Sequence, residues 1–117
     1  MISKAKRAAI NQRFLKIDIT TFRIIEIIGE KKDGIPDDIL FGATPDTLIT
    51  DPVMAHLCRT AILAAYDTGI PITIILPLTW NGSTINARVH FKRGGRYTDD
   101  KTIIAYADQI DRTNQDE

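Results

Sequence analysis

Cysteine, net charge and long apolar runs are all scarce in this sequence, and each scarcity closes off a class of protein. One cysteine, Cys58, stands among 117 residues, so no intramolecular disulfide forms, and no metal-ligand spacing surrounds it. A reducing, cytoplasmic setting is the expectation. Fifteen basic and fifteen acidic residues cancel, so no global charge favours direct contact with nucleic acid or an anionic membrane. No stretch approaches the roughly 20 apolar residues of a membrane span, and Ser3–Arg13 is too charged for the core of a signal peptide. Neither a Gly-Xaa-Ser-Xaa-Gly elbow nor a phosphate-cradling glycine loop occurs. The acidic pairs Asp37-Asp38 and Asp99-Asp100 fall in loop sequence. No enzyme, metal or cofactor is expected.

What remains is a length that suits one domain, able to bury about two-thirds of its unfolded surface. The clearest local signal is "TWNGSTINARVHFKR" (79–93). Asn81-Gly82 supplies the two positive-φ residues of a type I′ turn. Beyond it, Ile85, Ala87, Val89 and Phe91 alternate with Thr84, Asn86, Arg88, His90 and Lys92, one apolar face and one polar. "RFLKIDIT" (13–20) and "RIIEIIG" (23–29) read as an earlier hairpin, turning near Thr21-Phe22. "ILFGATPDTLI" (39–49) holds one or two helical turns, with Thr44 as N-cap and Pro45 at the first helical position.

The longest helix is expected over 51–68, capped by Asp51, started by Pro52 and closed by Gly69. Its wheel gathers Val53, Leu57, Cys58, Ala61, Ile62 and Ala65 on one half, against His56, Arg59 and Leu63. Strands over 70–80 and 102–110, and a short helix over 3–12, complete the order. Two helix-free hairpins around a helical centre imply an antiparallel α+β fold.

That order resembles the Per-Arnt-Sim (PAS) sensory family. "FLKIDITTFRIIEI" is similar to the family's opening hairpin, and Leu40, Gly42, Pro45, Asp46 and Leu48 resemble its "lGyspeEL" helix signature. The Asn81-Gly82 hairpin matches the family's "DGs" turn, with Asn for Asp. "IIAYADQIDRT" is similar to the closing strand, which normally ends Asp-Ile-Thr; here Gln109, Ile110 and Asp111 stand there. The resemblance implies a PAS-like five-stranded antiparallel sheet with helices on one face. It also implies the division 1–12 flanking helix, 13–113 PAS domain and 114–117 start of a linker.

For function, the resemblance implies a sensor regulating a covalently attached output domain: a histidine kinase, a cyclic-dinucleotide enzyme or a transcription factor. The alternative is a ligand-free dimerisation or docking module. Ala61, Ala65 and Ala87 are small, which permits either a void or close packing. A small-molecule pocket, where present, would involve Leu40, Phe41, Ile62, Tyr66, Leu76, Leu78 and Tyr106. Haem is disfavoured because His56 lies off the apolar stripe, and a photoactive flavin because Cys58 sits inside the helix without the branch's Asn-Cys-Arg-Phe run. The expected output contacts are Asp108, Gln109, Ile110, Asp111 and Arg112. The expected homodimer interface is Ile10, Ile75 and Pro77, because Ile75 and Pro77 interrupt the polar row of the outer sheet face.

Overall fold

The computed structural model describes residues 12–31, 34–94 and 101–108. Strands β1 (Arg13–Asp18) and β2 (Ile24–Gly29) form the first hairpin. Short helices α1 (Asp37–Leu40) and α2 (Pro45–Leu48) and the long helix α3 (Pro52–Thr68) follow. Strands β3 (Ile72–Trp80), β4 (Ser83–Arg93) and β5 (Thr102–Asp108) close the chain. All strand pairs are antiparallel, in the order β2-β1-β5-β4-β3. The expected helix over 3–12 falls almost wholly outside the described residues, as do Ile10 and 109–112. Among the described residues no helix is long and apolar enough to cross a membrane.

Local sequence chemistry sets these elements. Asn81 (φ 56°) and Gly82 (φ 78°) both take left-handed backbone, which matches the right-handed twist of the flanking strands. The register across that turn follows: Trp80 faces Ser83, Leu78 faces Ile85, Leu76 faces Ala87 and Ile74 faces Val89. Pro77 sits inside β3 without breaking it because β3 is an edge strand, where a missing N–H costs no ladder bond on the open side. In β2, Ile25 has no partner between the Lys16–Glu26 and Ile17–Ile24 pairs, a bulge that turns it out to 43% exposure.

Helix α3 begins as its sequence dictates. The Asp51 carboxylate accepts from the Val53 N–H at 2.9 Å, and Gly69 ends the helix in left-handed conformation. The face it buries is not the one centred on the large aliphatics. Ala55, Cys58, Ala61, Ile62 and Ala65 are buried, whereas Val53 is 65% and Leu57 42% exposed. The sheet approaches α3 along its small residues, which permit close contact, and Val53 and Leu57 flank that contact on the solvent side. His56 is exposed, as its place on the wheel implies.

Candidate functional site

The inner sheet face and α3 do not meet everywhere. Between them lies a cavity of ≈ 140 Å³. Its floor is the inward row of the sheet: Leu15 and Ile17 from β1, Leu76 and Leu78 from β3, Val89 and Phe91 from β4, Ala105 and Ala107 from β5. Its roof is Cys58 and Ile62 of α3, with Leu40, Leu48 and Ile49 from the short-helix region. Small side chains at Cys58, Ala105 and Ala107 leave the space where larger residues would fill it. A cavity of about 150 Å³ with such apolar walls holds a benzene-sized molecule.

One end of the cavity is polar. Gln12, Arg13 and Lys31 line it where β1 begins and the chain leaves β2. Arg13 Nη1 donates to the Ile35 carbonyl at 2.6 Å and to Asp37 Oδ1 at 2.7 Å, tying the loop before α1 to the sheet. Thr44 and Pro45 contribute to the wall near α2, where the Thr44 N–H donates to Thr47 Oγ1 at 2.9 Å.

Cys58 carries the one strongly displaced titration among the described residues. Burial pushes its thiol from 9.0 to about 12, against a smaller opposing pull from Arg59. At neutral pH it is a protonated, inert part of the roof, not a nucleophile. No cluster of three metal-ligating side chains occurs among the described residues.

Of the seven pocket residues expected from the sequence, Leu40, Ile62, Leu76, Leu78 and Tyr106 line the cavity. Phe41 does not: as the residue closing α1 it is 61% exposed. Tyr66 also lies outside the wall, its ring 4.8 Å beneath the Arg93 guanidinium. Tyr106 belongs to the wall between Ala105 and Ala107, but strand alternation turns its ring to the outer face. There it stacks on His90, with ring centres 4.7 Å apart. Arg13 was missed, although a signal existed: Ile17 and Leu15 point inward, and the same period lands on residue 13.

The outer face has its own order. His90 Nε2 lies 2.7 Å from Asp108 Oδ2, and Nδ1 lies 2.8 Å from Thr73 Oγ1. A carboxylate only accepts, so Nε2–H donates to it, and Nδ1 shares a hydrogen bond with the threonine hydroxyl. Phe14 packs on the other side of Tyr106 at 5.4 Å. Ile75 is 56% exposed on this face, and Pro77 is half-buried beside it.

No protein-family model matches the sequence, and no curated protein matches it. Solved structures do. The PAS domain of the Cronobacter turicensis quorum-sensing receptor RpfR, in complex with BDSF, is similar with a TM-score of 0.59 at 15% identity, covering 95% of this chain and 100% of that one. The PAS domain of Bordetella pertussis BvgS is similar with a TM-score of 0.55 at 18% identity, covering 95% of this chain and 88% of that one. With the five-stranded antiparallel sheet and the helices on its inner face, the chain has the fold of a PAS domain.

Proposed function

We propose that this domain is a sensory module without catalytic activity of its own. Its cavity takes a small, mainly apolar molecule, and its last strand passes the occupancy to a covalently attached output domain. The observation that carries this reading is the apolar ≈ 140 Å³ space between α3 and the sheet. A PAS domain solved in complex with BDSF supports a ligand-holding role for the fold. Leu40, Ile62, Leu76 and Leu78 are the proposed contacts from among those expected, the Tyr106 ring being turned to the outer face. NMR titration of the full chain with benzene, beside Ala105→Val, tests the reading. Saturable shifts at Ile62 and Leu76 that the variant weakens are expected. A protein that ignores benzene has a closed, docking-type core.

Output and association belong to the same reading. Asp108 is fixed to β4 by His90 Nε2 at 2.7 Å and lies 3.6 Å from Arg88 Nε, immediately before 109–112. Gln109, Ile110, Asp111 and Arg112 are proposed to continue that contact into the output linker. The exposed Ile75, beside Pro77, favours a homodimer contact on the outer face, covered together with Ile10 of the first residues. Light scattering of the intact chain, a version lacking 1–12 and Ile75→Glu tests this. One common mass for all three excludes the interface.

A further inference from the structure

The chain has two histidines, and they are unlike. His56 is exposed on α3. His90, on the outer sheet face away from the cavity, is 21% exposed and held from both neighbouring strands. Its Nε2 lies 2.7 Å from Asp108 Oδ2 of β5, and its Nδ1 lies 2.8 Å from Thr73 Oγ1 of β3. The ring stacks on Tyr106 of β5. One imidazole thus joins three strands, and its carboxylate partner is the last residue of β5.

The cluster accepts either protonation state of the ring in one geometry. Nε2–H donates to the carboxylate in both. A hydroxyl both donates and accepts, so Thr73 suits a bare Nδ1 and a protonated one alike. What changes is strength: a hydrogen bond between two ionised groups is roughly twice as strong as a neutral one, and a cation gains against an aromatic face. Two charges oppose the proton. Arg88 and Lys92 flank His90 on the same face of β4; Arg88 Nε lies 3.6 Å from the same Asp108 Oδ2, and Lys92 Nζ lies 5.8 Å from the Tyr106 ring centre. Both side chains are exposed, so water and salt screen that repulsion. β3 carries no charged residue. β5 faces the ring with Asp108 and the Tyr106 phenol, and beyond it Lys16 of β1 pairs with Glu26 of β2 at 3.9 Å. The direct contact with Asp108 therefore outweighs the screened cations.

We propose that His90 is a proton-operated clamp: a proton taken up from water tightens the hold of β3 and β4 on the end of β5, and its loss as pH rises relaxes that hold. The clamp needs no molecule in the cavity, so its test is independent of the sensory reading above. Amide exchange of the full chain, divided by the unstructured rate at the same pH, is measured at about pH 5.5 and about pH 8, on either side of ordinary imidazole titration and above that of carboxylates. Protection at Tyr106 and Asp108 is expected to be about 3- to 10-fold greater at the lower pH, the gap between a neutral and a charge-assisted hydrogen bond. His90→Gln removes that ratio, and His56→Gln leaves it in place. Asp108→Asn keeps a ring that takes up protons but brings the ratio to one or below, because Arg88 and Lys92 then face the cation without an anion. Equal or lower protection at the acid pH in the intact chain overturns the clamp. So does a ratio that survives His90→Gln or Asp108→Asn, or one that His56→Gln abolishes.

Discussion

The two faces of the sheet are built from alternate residues of the same strands, yet different forces hold them. On the inner face Leu76, Phe91, Ile103 and Ala105 are 2% exposed or less. Full burial of a Leu, Ile or Phe side chain contributes about 1.5–3 kcal/mol. On the outer face, organisation comes from directed contacts: His90 between Thr73 and Asp108, and Tyr106 stacked on His90 with Phe14 tilted against it. Such neutral or half-exposed hydrogen bonds contribute about 1 kcal/mol each. The inner face therefore supplies stability and room for a guest, and the outer face supplies geometry near the end of β5. One strand carries both, because its side chains alternate.

Substitutions can break that division or sharpen it. Phe91→Ala, at a fully buried cavity wall, is expected to cost about 3–5 kcal/mol, read from the urea midpoint at constant slope. A loss below about 1 kcal/mol would mean that the inner face is not the stabilising one.

Alkaline pH is the next largest probe of the inner face. The folded state holds Cys58 protonated up to about 12 while the unfolded thiol ionises near 9.0. The stability tied to the protonated thiol is thus fully present below 9.0 and lost as pH rises towards 12, at up to about 1.4 kcal/mol per pH unit. Cys58→Ala should flatten this slope in denaturant titrations across that window. An unchanged slope would place the thiol in contact with water.

Outer-face changes should cost less. His90→Ala removes the bonds to Thr73 and Asp108 but lets water replace them at partly exposed groups, a loss of about 1 kcal/mol. Amide exchange near Asp108 should quicken in the same variant, and unaltered exchange would detach His90 from the end of β5. Ile75→Thr, half in water already, should stay within about 0.5 kcal/mol in dilute solution. A larger, concentration-dependent loss would show that the residue is covered by another copy.

The hairpins were legible because their signals are local. Asn81-Gly82 has few alternatives to a tight turn, and the alternation after it assigns each residue to a face, including the buried Leu76–Ala87 pair. The caps of α3, Asp51 and Gly69, were legible for the same reason. The candidate site was legible only in part. Leu40, Ile62, Leu76 and Leu78 were reachable as large apolar residues on predicted inner faces. Phe41 looked equally apolar and is exposed, because α1 spans only Asp37–Leu40 and ends before it with Leu40 turned inward.

Periodicity, turn chemistry and capping are properties of neighbours in the chain, and they determined the strands, the long helix and the two faces of the sheet. Spacing between elements is a property of side-chain volumes that meet only after folding. That spacing decided which side of α3 is buried: Ala55, Ala61 and Ala65 admit the sheet, and Val53 and Leu57 stay in water. It also decided that Cys58, Ala105 and Ala107 leave a cavity, and that Arg13, tied to Ile35 and Asp37, lines its polar end. A void is the difference between volumes contributed from distant parts of the chain, so no single stretch of sequence contains it.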